Sequence, residues 1–204
     1  MAKQRGKKKR AGSRRMEDGR AAPASLRQAL RRLAGRRVLI TTHSLADSDA
    51  AASCLALAGH LGPQSVIALA DRSNSESRRL FADQMDRLQN FEDARARYPK
   101  APVILLDAND PSILPQIGGG EKIALLIDHH ALSRHSVRAK IEWVEPQAAS
   151  ACELIAATIP RPSPQAASWL CLGILSDSAR LLHADARTFG TLARLLEHAD
   201  ADYE

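Results

Sequence analysis

The sequence predicts an α/β fold: a doubly wound, mainly parallel five-stranded sheet with helices on both faces. Three observations predict it. The strand-like segments are short runs of uninterrupted apolar residues, as in strands buried on both sides. Segments of helical character separate them. Three of the runs stop at a His or an Asp, and in such a sheet those side chains share one edge, beyond the carboxyl ends of the strands.

The elements follow in order. Leu26, Leu30 and Leu33 recur at helical spacing in a basic segment from Ala24 to about Leu33. Residues 37–42 (RVLITT) form the first strand, which ends at His43. An Ala-rich helix runs from Asp49 to about Leu61. Residues 65–70 (SVIALA) are the second strand, and the charge-rich stretch 75–90 reads as helix. Residues 102–106 (PVILL) are the third strand, stopping at Asp107. Residues 122–127 (KIALLI) are the fourth, stopping at Asp128, with Gly118, Gly119 and Gly120 marking the loop before it. Residues 141–144 (IEWV) are the fifth, and 150–159, 164–175 and 187–198 read as helices.

The 204 residues, 45% of them apolar, can bury a core without covalent staples. Charge divides the chain. Residues 1–20 carry nine Lys or Arg against Glu17 and Asp18, a net +7, whereas residues 21–204 sum to −1. Residues 1–23 are therefore expected to be a disordered basic tail, and 24–204 a folded domain. Within the tail, residues 1–20 suit contact with polyanions such as nucleic acid, or simply a solvated terminus. Cys54, Cys152 and Cys171 are far apart and set among apolar residues, which fits a reducing compartment rather than a disulfide framework. The first residues lack a signal peptide's apolar stretch. No apolar run approaches the roughly 20 residues that cross a bilayer. A cytoplasmic location without membrane contact is the expectation, and the oligomeric state is not legible.

Several polar clusters lie at strand or helix ends. His43, Asp47 and Asp49 share one strand-to-helix turn. A single Asp there ordinarily caps the helix, but a cap uses only one of them. Asp107 follows a buried strand. Asp128, His129 and His130 follow another, and successive side chains of an extended segment point oppositely, so the two His should do different work unless the turn bends early. Asp177 follows an apolar helix. Each Asp alone fits a turn or cap. Together, four carboxylates (Asp47, Asp49, Asp107, Asp177) and two imidazoles (His43, His129) suit divalent transition metal such as Mn²⁺. The number of donors exceeds what one catalytic ion needs and fits two ions sharing a carboxylate.

In their order along the chain these residues resemble the motifs of the DHH phosphoesterase superfamily, which includes RecJ-like exonucleases, oligoribonucleases, cyclic-dinucleotide phosphodiesterases and family II pyrophosphatases. His43, Asp47, Asp49 and Ser53 resemble its first motif, Asp107 its second, Asp128-His129-His130 its third, and Gly173-Ile174-Leu175-Ser176-Asp177 its fourth. Residues 150–155 (SACELI) resemble the helix between the last two. The likeness covers about residues 36–199. It implies that His43, Asp47 and Asp107 hold one metal ion and that Asp49, Asp107, His129 and Asp177 hold the other, with Asp107 bridging. Mn²⁺ is the preferred ion, with Mg²⁺ or Co²⁺ as alternatives. It further implies that His130 faces the substrate as the catalytic contact or proton donor, and that Asp128 and Ser53 support the site. The substrate it implies is a phosphodiester of single-stranded or short nucleic acid, or a cyclic dinucleotide. The alternative is a non-catalytic RecJ-like scaffold in DNA replication or repair, which should have lost metal ligands; here all are present. A Rossmann dinucleotide binder would need a Gly-x-Gly-x-x-Gly after the first strand, and none follows it.

The sequence departs from the family in three ways. Ala46 stands where Pro is usual. Ser178-Ala179 replaces Thr-Gly, followed by Arg180-Leu181-Leu182. A Gly-rich C-terminal substrate-binding domain is missing, which leads to the expectation that the chain is a fragment.

Overall fold

A computed structural model describes residues 20–70, 74–80, 82–118 and 120–199. The basic residues before Arg20, and with them most of the expected tail, lie outside the described residues.

Among the described residues, six parallel strands form one sheet in the order β3-β2-β1-β4-β5-β6. They are β1 (Val38–Thr41), β2 (Ser65–Leu69), β3 (Leu88–Asn90), β4 (Val103–Leu106), β5 (Ile123–Asp128) and β6 (Ala139–Val144). The helices are α1 (Ala24–Leu33), α2 (Ser48–Leu61), α3 (Ser75–Leu80), α4 (Phe91–Arg97), α5 (Ala151–Thr158), α6 (Pro164–Asp177) and α7 (Ala186–Leu196). The expected α/β class holds, with two corrections. The sheet gains an edge strand, β3, which pairs with β2 from Ile67↔Leu88 to Leu69↔Asn90. Residues 75–90 are not one helix but a short helix, a 3-10 turn over Ala82–Arg87 and this strand. The strand was hidden because it is three residues long, with Gln89 and Asn90 exposed, so it lacks the apolar run of a buried strand.

Strand residues alternate between two cores, as the two-residue period of a strand requires. Ile40, Ile67, Ile104 and Leu125 belong to the larger, packed with α1, α2, α5, α6 and α7. Leu39, Val66, Leu105 and Leu126 belong to the smaller, with Phe91 and Ala94 of α4. α2 is buried along nearly its whole length, and its small residues, five Ala among its 14, let neighbouring helices approach. Several helices begin at caps written in the sequence: Asp47 for α2, Ser150 for α5, Ser163 with Pro164 for α6, and a capping box of Asp185 with Thr188 for α7.

The strand order reverses direction at β1, whose neighbours are β2 and β4. A doubly wound sheet opens a crevice at such a switch point, beyond the carboxyl ends of the strands. His43 lies just past β1 and Asp107 just past β4, so the topology itself brings these two together.

Candidate metal centre

Asp107 lies at the middle of the cluster. Its residue is 2% exposed, and its backbone sits in the left-handed region with φ 57°. That conformation is strained for most residues but tolerated by Asp. It turns the chain sharply after β4 while the Asp107 N–H still donates to the Ile127 carbonyl at 3.0 Å. Around the carboxylate stand three imidazoles: His129 Nε2 at 3.3 Å, His43 Nε2 at 3.6 Å and His130 Nδ1 at 3.8 Å. Asp107 Oδ1 is buried without a hydrogen bond among the described residues. A buried carboxylate oxygen left so is costly unless a cation faces it.

His43 and Asp47 form one flank. His43 Nδ1–H donates to the Ser44 carbonyl at 2.8 Å, which directs Nε2 toward Asp107. A bond of this kind fixes the tautomer of a metal-ligating His. Asp47 Oδ1 accepts from Ala50 N at 3.0 Å as the cap of α2, and Oδ2 lies 4.0 Å from His43 Nε2. The capping and ligating readings of Asp47 are thus compatible, one oxygen for each.

Asp49, His129 and Asp177 form the other flank. Asp49 is 1% exposed and accepts from Ala151 N at 2.7 Å and Cys152 N at 2.9 Å, the first amides of α5. A helix N-terminus is a natural seat for a carboxylate. His129 Nε2 stands 3.2 Å from Asp177 Oδ2. Asp177 ends α6, so it comes from a helix C-terminus rather than a strand end.

His130 does not point away from its neighbour as an extended chain would require, because β5 ends at Asp128 and the two imidazole centroids lie 4.3 Å apart; it differs in exposure and in partner. Its side chain is 57% exposed, and Nδ1 is 2.8 Å from Oδ1 of the fully buried Asp128. Asp128 also accepts from the His130 backbone N–H at 3.0 Å. Asn109 Nδ2 donates to Asp128 Oδ2 and, at 3.1 Å, to the His130 carbonyl, while Ser136 Oγ donates to Asn109 Oδ1. Asn109 and Ser136 are the supports that the sequence did not reveal. The only signal was an amide two residues past Asp107. Ser53 is buried on α2 and donates to the Ala50 carbonyl one turn back at 2.9 Å, so its bond is local.

The protonation pattern follows from crowding. Burial opposes charge on His43, but the Asp107 carboxylate and the Ser44 carbonyl prevail and push its pKa up to about 9. Burial opposes charge on His129 too, and Asp107, Asp49 and Asp177 likewise raise it to about 9. His130 is raised, first by its bond to Asp128. Asp107 resists its own burial because the His129 and His43 imidazoles hold its carboxyl low. Asp49 is pushed up by burial and by the charge on Asp107, and Asp177 is raised chiefly by burial.

Among the described residues, three trios have donor atoms within 4.8 Å of one another: His43, Asp47 and Asp107; Asp49, His129 and Asp177; and Asp107, His129 and His130. The first two could each hold a divalent ion, and Asp107 touches both. The third is less suited, because the near atom of His130 is the Nδ1 already bonded to Asp128.

Arg20, expected in the solvated tail, is instead 5% exposed, its Nε 3.1 Å from Glu153 Oε1 and its Nη2 3.0 Å from Asp185 Oδ2. It anchors the chain entering α1 to α5 and the cap of α7. No helix among the described residues is long and apolar enough to cross a membrane.

Comparison with known proteins agrees with this architecture. An exopolyphosphatase-related protein from Bacteroides fragilis superposes with a TM-score of 0.65 at 16% identity, over 85% of this chain and 55% of that one. A Methanococcus jannaschii protein described as a candidate family II inorganic pyrophosphatase gives 0.64 at 20% identity, over 80% of this chain and 56% of that one. The chain thus spans a little over half the length of these proteins. The curated proteins contain no significant match to the sequence. Residues 37–174 match the DHH family, N-terminal domain, and the chain belongs to that family.

Proposed function

We propose that this domain is the catalytic half of a two-metal phosphoesterase. His43, Asp47 and Asp107 hold one divalent ion. Asp49, Asp107, His129 and Asp177 hold the second, and Asp107 is shared. The observation that carries this reading is Asp107 itself: a buried carboxylate with an oxygen lacking a hydrogen bond, between two trios of donors contributed by separate elements. Mixed carboxylate and imidazole donors favour Mn²⁺, with Mg²⁺ or Co²⁺ as substitutes. Two ions held this way polarise phosphoryl oxygens and supply a nucleophile at neutral pH.

The chain's own groups do the remaining work. The first amides of α5 hold Asp49, and the Ser44 carbonyl orients His43. Asp128 accepts the Nδ1 proton of His130 and leaves Nε2 facing outward, where it donates a proton to a phosphoryl or leaving oxygen. The substrate is a phosphodiester of short or single-stranded nucleic acid or a cyclic dinucleotide; the cation-rich residues 1–20 support an anionic chain of this kind.

Asp107→Asn is the decisive variant, because Asn keeps the side-chain shape and accepts the left-handed backbone better than Ala. Mn²⁺-dependent hydrolysis of a chromogenic phosphodiester should fall to background while the fold persists by circular dichroism. Full activity in this variant would end the assignment. Assaying short oligonucleotides, cyclic dinucleotides, pyrophosphate and polyphosphate side by side identifies the substrate class; preference for pyrophosphate would overturn the phosphodiester reading alone.

A further inference from the structure

The end of the sheet away from the metal centre has its own charge pattern. The segments entering β4, β5 and β6 border an open groove of about 940 Å³. Outside residues 1–20 the chain has only three lysines, Lys100, Lys122 and Lys140, and all three line this groove. Each is exposed, and among the described residues none has a carboxylate within ion-pair distance. The other cations lining the groove are partnered. Arg95 makes a two-point contact with Glu121, Nε to Oε2 at 3.0 Å and Nη2 to Oε1 at 2.7 Å, and Arg138 Nε lies 2.9 Å from Glu142 Oε1.

A concave surface lined by cations focuses a positive potential that draws anions. A body that sums to −1 has placed every one of its lysines here. Lysine is a flexible point charge suited to phosphate oxygens. Among the described residues no aromatic ring lines the groove, so they offer no platform for stacked bases. Contact would be to phosphates and independent of sequence. Along β5, Ile123 borders the groove and Asp128 the metal centre, which puts the two sites roughly 16 Å apart by strand rise.

We propose that this groove is an accessory binding site for a chain of phosphates, separate from the metal centre and independent of the reaction there. Two sources share this chemistry: the backbone of single-stranded nucleic acid and inorganic polyphosphate.

The test is lysine footprinting on the full chain in EDTA, so that hydrolysis plays no part. The protein is acetylated with or without a single-stranded oligonucleotide or long-chain polyphosphate, and each site is quantified by mass spectrometry. Several-fold protection of Lys100, Lys122 and Lys140, reversed by high salt, is the expected result. Protection by only one of the two polyanions identifies the source. Unchanged acetylation of all three lysines with both polyanions would overturn the proposal, even if residues 1–20 bind them. In the triple variant Lys100→Glu, Lys122→Glu, Lys140→Glu, the slope of log affinity against log salt should flatten by about 2, from roughly 0.7 per lost phosphate contact on a single strand. Hydrolysis of a small chromogenic phosphodiester should be unchanged. An unaltered slope in a folded triple variant would also refute the site.

Discussion

The two adjacent histidines at the end of β5 have different partners, which is the basis of the different roles proposed for them. His129 points its Nε2 between Asp107 and Asp177, whereas the Nδ1 of His130 is taken by Asp128 and its ring is more than half exposed. A group placed in this way transfers a proton or stabilises charge, contributions typically of about 10²–10⁴ in rate. His130→Ala should therefore lower kcat by about 10² or more and leave intact the rise in melting temperature that Mn²⁺ produces. Loss of that rise would make His130 a ligand and favour the trio of Asp107, His129 and His130. The backbone of Asp107 adopts a left-handed conformation of the kind that concentrates at functional sites.

At the level of elements, the metal centre depends on how closely α6 approaches α2 and α5. Gly173 permits this approach. A Cβ added there would meet Cys152 Sγ at 2.4 Å and Asp49 Oδ1 at 3.1 Å, so the neighbours would have to move. Overpacking of this kind costs about 1–3 kcal/mol, and the groups it displaces include a proposed ligand and the helix that holds it. Gly173→Ala should lower the melting temperature and also weaken Mn²⁺ affinity by more than the stability loss accounts for. Isothermal titration at a temperature where the variant is folded measures this, and unchanged affinity would confine Gly173 to packing. Just beyond Asp177, Ala179, Arg180 and Leu181 all have positive φ, at 49°, 56° and 72°. Three such residues in succession are strained. Ser178 Oγ accepts from Leu181 N at 3.0 Å and helps to hold the turn.

For the whole molecule, the proposed metal ions would compete with protons for the same carboxylates and imidazoles. With their pKa values raised from 6.5 to about 9, His43 and His129 stabilise the metal-free fold fully below pH 6.5. That contribution is lost as pH rises through about 9. The raised pKa of Asp49 acts in the same direction, and Asp107, held low, is already ionised throughout. The metal-free protein should thus melt at progressively lower temperature between pH 6.5 and 9. The stabilisation by Mg²⁺ or Mn²⁺ should grow over the same interval, because binding releases those protons. Differential scanning calorimetry with and without metal measures both, and a metal shift independent of pH would contradict the arrangement. The sequence by itself determined the parallel α/β class, the buried strands and the residues at their ends, because strand periodicity and apolar runs are local properties. It missed β3, a short exposed strand that exists only through pairing with β2. It placed Arg20 in a solvated tail because charge alone does not show a buried Glu153 in wait. Only the tertiary structure joined Asp49 to the amides of α5, gave Asp128 its bonds to Asn109 and His130, and gathered three lysines distant in sequence at the far edge of the sheet. Contacts of that kind depend on strand order and helix approach, which no local pattern encodes.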